Sequence, residues 1–199
     1  MKFKLLAAGS LMLAAGFASA DIVTYNLNVN NVQSMEEYGD PLNNVLTLNL
    51  QSLMPGYSGF TLTGIGWNAS ISTIGNSWLS EAIASFEAQP APASDYVDVQ
   101  IGQDEDHTGT MNFTSGVVDF SDLRTFPSAG SEAGLNVSAT DTLYVHFWEL
   151  FNDNTGTADA TWSGNFTLQF DATPNAVPEP ASMAALGLGA LVLLRRRKK

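Results

Sequence analysis

The sequence predicts an all-β protein, a single β-sandwich of jelly-roll type set between two terminal segments of different character. Three observations carry that reading. Apolar residues repeatedly alternate with polar ones at the period of two that half-buried strands require. Clusters of Gly, Asn, Asp and Pro break these runs at short intervals, as tight turns do. No internal repeat runs through the 199 residues. About eight or nine short strands of this kind pack most economically as two facing sheets.

The elements follow in order. Val23, Tyr25, Leu27 and Val29 alternate as a first strand; Leu46, Leu48 and Leu50 repeat the pattern after the Asn43-Asn44 break. Met54 to Gly59 is a turn by composition. Phe60 and Leu62 then open an alternation that resumes out of phase at Ile65, Trp67, Ala69 and Ile71, and a phase slip at Gly64 is the trace a β-bulge leaves in a sequence. The stretch 78–86 contains good helix formers, but Ala82, Ala84 and Phe86 alternate and favour a strand. Gln89-Pro90-Ala91-Pro92 is a stiff loop, followed by Val97, Val99 and Ile101 as a strand and by an acidic loop at 103–109. Met111, Phe113 and 117–120 supply one or two strands, and 126–130 is a loop. Leu143, Val145 and Phe147, then Phe166, Leu168 and Phe170, are the clearest late strands, with a polar loop at 152–156 between them. The sandwich is expected to span 21–171, with 172–176 as a linker.

Both ends read as addresses. Lys2 and Lys4 precede an apolar run over 5–17, and Ala18-Ser19-Ala20 before Asp21 has the small-x-small form of a signal-peptidase site, so 1–20 reads as a signal peptide. At the other end Val177-Pro178-Glu179-Pro180 leads into an apolar segment over 181–194 and a basic terminus of Arg195, Arg196, Arg197, Lys198 and Lys199. As a helix, fourteen residues rise about 21 Å, short against a hydrocarbon core of roughly 30 Å. The basic cluster favours the cytoplasmic side.

This tail resembles the PEP-CTERM sorting signal of Gram-negative bacteria, with Val177, Pro178, Glu179 and Pro180 as its motif, 181–194 as its transmembrane helix and Arg195, Arg196 and Arg197 as its basic end. The resemblance implies recognition by a membrane-embedded exosortase, a precursor tethered to the inner membrane, cleavage near Pro-Glu-Pro, and delivery to the cell surface or extracellular matrix. An uncleaved C-terminal anchor is the alternative reading. The physical logic matches that of lipid-anchor signals whose hydrophobic tail is later removed. A second resemblance rests on Thr63-Gly64-Ile65-Gly66-Trp67, Ser77-Trp78-Leu79-Ser80-Glu81, residues 143–149 and residues 162–168. It is to P-domain-like and galactose-binding-like jelly rolls, and it implies a fold rather than a ligand.

Charge narrows the function. Of twenty acidic residues only Glu179 lies in the tail; of eight basic ones, two lie in the signal and five end the chain. The part between, 21–176, therefore holds nineteen acids against one base, Arg124. Such a surface cannot neutralise phosphates, which excludes nucleic acid as a partner. With no cysteine, neither a disulfide framework nor a thiol nucleophile nor a thiolate metal site is available.

Chemistry-bearing residues are few. His107 sits in the acidic loop, and His146 alternates with Val145 and Phe147 and so faces away from the core. No nucleophile elbow is present, and a catalytic role is not expected. Asp104 and Asp106 occupy the first and third positions of an EF-hand-like loop, but position twelve is Ser115, so the loop reads either as an irregular calcium site or as a solvated turn. Asn152, Asp153, Asn154 and Asp159 form a second oxygen-rich loop whose simpler reading is a turn. Among the tryptophans, Trp148 shares the less apolar face with Tyr144 and His146 and is expected to be the exposed, ligand-contacting one. The sequence thus supports a non-enzymatic exported surface or matrix protein associated with exopolysaccharide in a biofilm; the alternative is a calcium-assisted carbohydrate-binding module or adhesin. Calcium is the single candidate cofactor; signal peptidase and exosortase are the expected processing partners.

Overall fold

Alternation in the sequence becomes two antiparallel sheets in the computed structural model, which describes residues 19–119 and 134–175. Nine strands are present among them: β1 (Asp21–Ser34), β2 (Asn44–Asn49), β3 (Tyr57–Thr73), β4 (Ala82–Glu87), β5 (Tyr96–Val99), β6 (Thr110–Asp119), β7 (Leu135–Asn136), β8 (Thr142–Glu149) and β9 (Ala160–Pro174). The larger sheet runs β1-β9-β3-β6, with β7 also on β3; the smaller runs β2-β8-β4-β5. Every pairing is antiparallel. The chain crosses repeatedly from one sheet to the other, the double Greek-key route of a jelly roll.

Period-two alternation decides which side chains meet between the sheets. Phe60, Leu62, Ile65, Ile71, Trp162, Phe166, Leu168 and Phe170 from the larger sheet face Ala84, Phe86, Leu143, Val145 and Phe147 from the smaller. Edge-to-face ring pairs join the two layers: Phe86 with Phe166 at 5.7 Å, and Phe147 with Trp162 at 5.5 Å. Such pairs add about 0.5–1.5 kcal/mol beyond the area they bury. The phase slip expected near Gly64 is a real irregularity, because the register of β3 shifts between Leu62 and Gly64 against β9 and between Ile65 and Trp67 against β6. It lets Leu62 and Ile65, three residues apart, both reach the core. At Gly164, φ is +124° and a Cβ would lie 2.3 Å from the Asn68 carbonyl oxygen, so only glycine permits β9 to lie this close to β3.

Four expectations need correction. Leu50 does not extend β2; it opens a single-turn helix, α1 (Leu50–Leu53), because Asn49 accepts the Ser52 N–H and caps it. Ile101 lies in the turn after β5 rather than in the strand. The stretch from Ala172, read as the start of a linker, is still strand: β9 continues to Pro174 and Ala172 is buried. The fourth, Trp148, is taken up with the site. Phe120, Arg124, the 126–130 loop, Ala18 of the signal-cleavage site and the whole tail, with Val177, Pro178, Glu179, Pro180, Arg195, Arg196 and Arg197, lie outside the described residues. Among the described residues no helix is long and apolar enough to cross a membrane.

Candidate functional site

A sheet of a two-layer sandwich normally turns a polar face to water. Here the outer face of the smaller sheet is instead closed over at its centre, since β4 is buried at all six positions and β8 from Val145 to Glu149. Outward-pointing Ser85 and Glu87 of β4, Asp98 and Tyr96 of β5, and His146 and Trp148 of β8 lie side by side, because β4 pairs with both neighbours. Tyr38, from the connection between β1 and β2, lies over them. Its ring stacks on Tyr96 at 5.4 Å and also meets His146 and Trp148, and its hydroxyl accepts the Ala93 N–H at 2.9 Å.

The polar groups under Tyr38 are largely committed to one another. Trp148 Nε1 donates to Ser85 Oγ at 2.6 Å, and Ser85 in turn donates to Asp98. His146 Nδ1 lies 3.3 Å from Glu87 Oε1, while Glu87 Oε2 and His146 Nε2 have no partner. Burial pushes the Asp98 carboxyl up to about 6 despite the hydrogen bond from Ser85, and the Tyr38 hydroxyl is also pushed up, first by burial. Trp148 is only 9% exposed, so it is not the exposed aromatic that alternation implied. Alternation correctly placed it on the outer face but gave no sign that Tyr38 covers that face.

The second cluster lies at the end of the sandwich where β1 and β8 stop and β4 and β9 begin. Ser34 ends β1 and Glu36 follows it in the connection to β2, Ser77 and Glu81 come from the turn before β4, Glu149 from the end of β8, and Asn152, Asp153, Asn154 and Asp159 from the connection to β9. Main-chain bonds tie these segments together: Glu149 N to Glu36 O at 3.0 Å, Leu150 N to Glu81 O at 2.8 Å, and Asp159 N to Ser34 O at 3.0 Å. Ser34 donates to Glu149 Oε1, Ser77 to Glu81 at 3.2 Å, and the Asn154 amide to Asp159 at 2.5 Å. Glu36 accepts from the Asn152 amide and from Gly156 N. Glu149 and Asp159 are fully buried. Burial, reinforced by neighbouring acids, pushes the Glu149 carboxyl up to about 8 and raises those of Glu81 and Asp159.

Around this end, Ile74, Trp78 and Phe151 project into solvent. Trp78 is 45% exposed and belongs to the turn that carries Glu81; Phe151 precedes Asn152. Trp67 packs partly against the core and Trp162 is buried, which leaves Trp78 as the most exposed tryptophan. The fragments 77–81 and 152–159 were each visible as polar runs in the sequence. That they meet was not, because strand pairing brings them together across roughly seventy residues.

The acidic loop is a separate feature. Asp106 accepts from Ser80 Oγ at 2.7 Å, and His107 Nε2 pairs with Glu105 at 3.0 Å. Asp104 and Asp106 are both exposed. Among the described residues, no group of three or more His, Cys, Asp or Glu is placed so that it could hold a metal ion.

Comparison with known proteins settles the tail. Residues 176–198 match the model of the PEP-CTERM protein-sorting motif. A PEP-CTERM sorting motif is present. It implies exosortase processing, with a membrane-tethered precursor that becomes a cell-surface or extracellular protein. The match speaks for the tail and leaves the sandwich unassigned. No curated protein sequence matches the chain. Among solved structures, Desmodium yellow mottle tymovirus is similar at a TM-score of 0.31 and 8% identity, over 86% of this chain and 98% of that one. Turnip yellow mosaic virus follows at 0.29 and 11%, over 90% and 94%, and the tobacco streak virus coat protein at 0.27 and 8%, over 80% and 92%. Likenesses at these scores carry no argument about what the sandwich does.

Proposed function

We propose that this is a non-enzymatic surface or matrix protein, displayed through its PEP-CTERM motif, whose sandwich contacts exopolysaccharide at the end rimmed by Ile74, Trp78 and Phe151. The sorting motif carries the first half of that reading. For the second half, exposed aromatic rings beside amide and carboxylate groups offer a sugar both a stacking face and hydrogen-bond partners. Catalysis is disfavoured by how the candidate groups are used. Ser85 is engaged by Asp98 and Trp148, His146 lies buried beneath Tyr38 against Glu87, and His107 is an exposed loop residue paired with Glu105. Signal peptidase processing after Ala20 and release of the tail complete the proposed maturation.

Two measurements test this. Intact-mass analysis of surface-released protein should show a chain that begins at Asp21 and lacks Arg195, Arg196 and Arg197; retention of that basic end would favour a permanent anchor. Trp78→Ala should weaken binding of the protein to exopolysaccharide by about tenfold, roughly 1.4 kcal/mol, with little change in melting temperature because Trp78 is not core. Unchanged binding would remove this end from the glycan contact. Calcium-assisted carbohydrate binding is the second reading, favoured by the acids adjoining the same rim.

A further inference from the structure

We propose that the membrane-tethered precursor holds its sandwich end-on to the lipid surface. The turn after α1 and the start of β1 rest on that surface, and the end carrying Trp78 and Phe151 points away from it. The inference rests on the sorting motif and does not depend on the glycan reading.

The first observation is where the tail leaves the fold. The sorting motif begins at residue 176, and the residue before it is fixed to the sandwich. Asn175 N donates to the Gly56 carbonyl at 2.9 Å, and the Asn175 side-chain amide donates to the Pro55 carbonyl at 3.0 Å. From Asn175 to Ala181, where the apolar stretch begins, six Cα steps span at most about 22 Å. So short a connection cannot lead around the sandwich, because β9 alone has 15 residues and rises roughly 45 Å. The end that binds Asn175 is therefore the one nearest the membrane.

The second observation concerns the other terminus of the domain. Asp21, at the start of β1, lies opposite Ala172 near the end of β9, and Tyr57, at the start of β3, lies opposite Pro174. The chain before Asp21, with its apolar run at 5–17, thus joins the sandwich at the same end as the tail. For as long as the signal stays attached, two apolar segments hold the domain from adjacent strands.

The side chains suit that placement. Ile22 on β1 is 70% exposed, and Leu53 on α1, two residues before Pro55, is 40% exposed. Two apolar side chains bury too little area to hold a protein on lipid unaided. A short tether supplies the effective concentration that makes so weak a contact sufficient. Charge favours the same orientation. Glu81, Glu149, Asp153 and Asp159 lie at the opposite end, and the acidic loop at 103–109 adjoins it through the bond from Thr73 N to Gly109 O at 2.8 Å. Among the described residues, Asp21, Asp95, Asp141 and Asp171 lie toward the tail's exit, fewer acids than the other end holds. An anionic lipid surface repels the more acidic end and so turns it outward.

The chain has no cysteine, so single labels can be placed without removing a native thiol. Leu53→Cys, Ile22→Cys and Phe151→Cys each carry a small fluorophore at an exposed position, where folding should survive. The full-length, uncleaved chain is reconstituted into vesicles of phosphatidylcholine and phosphatidylglycerol, with and without nitroxide-labelled headgroups. Quenching by the nitroxide should be several times stronger at 53 and 22 than at 151. Inserting about twenty Gly and Ser residues after Ala176 should remove most of that difference, because such a chain adds roughly 25 Å of flexible reach. Equal quenching at the two ends, stronger quenching at 151, or none at any position overturns the end-on placement. A difference that survives the insertion overturns the short connection as its cause. Quenching at 53 and 22 that appears only when exosortase is added assigns this end to the enzyme instead of lipid and overturns the proposal equally.

Discussion

Phe147→Ala should destabilise the sandwich by about 3–5 kcal/mol, the cost of emptying a large aromatic site in a packed core. Phe147 is completely buried on the inner face of β8 and lies edge-on to Trp162 and tilted against Phe166, both on β9 of the opposite sheet. Its removal therefore loosens the contact between layers as well as the packing within one. The neighbouring strands leave little room to collapse into the space, since β8 is hydrogen-bonded on one side to β2 and on the other to β4. Urea unfolding followed by tryptophan fluorescence measures the loss directly, because Trp162 reports on the same contact. Leu168→Ala, equally buried on β9, should cost about 2–5 kcal/mol. A loss below 1 kcal/mol at Phe147 would mean that the facing register of β8 and β9 is wrong.

The core was readable because it depends on period alone. Leu27, Leu48, Phe60, Val97, Val145 and Phe166 all declare their facing by alternation, and each is buried. Even the irregularity in β3 left a mark, since a one-residue slip transfers every later side chain to the other face. What alternation cannot show is a lid. Trp148 and His146 were placed on the outer face correctly, but Tyr38 reaches them from a connection more than a hundred residues earlier and closes that face. Nor does local sequence reveal which acids meet. Asp104, Glu105 and Asp106 attracted attention by being adjacent, yet adjacency on an exposed loop brings no burial. Glu81, Glu149 and Asp159 carry the larger electrostatic consequence because pairing among β1, β4, β8 and β9 buries Glu149 and Asp159 fully, and Glu81 in part, at one end.

That burial has a signed consequence for stability. Glu149 has its carboxyl pushed up to about 8 in the folded protein against 4.5 as its ordinary value. Between those two pH values the native state holds a proton that the unfolded chain has released. Stability is therefore greatest near and below pH 4.5 as far as this group is concerned, and it falls as pH rises through about 8. The groups facing Glu149 are Ser34 from β1, Ser77 and Glu81 from the turn before β4, and Asp159 from the approach to β9. The acids among them oppose its ionisation and the hydroxyls favour it. The full protein should lose on the order of 3–5 kcal/mol between pH 5 and pH 8.5, read as a fall in the urea midpoint. Asp98, raised to about 6, acts in the same direction over the lower part of that range. Glu149→Gln should remove most of the upper part of the fall and leave the protein more stable than the native chain at pH 8.5. A native stability that stayed level or rose from pH 5 to pH 8.5 would show that Glu149 is ionised throughout and that its burial is compensated by some other charge.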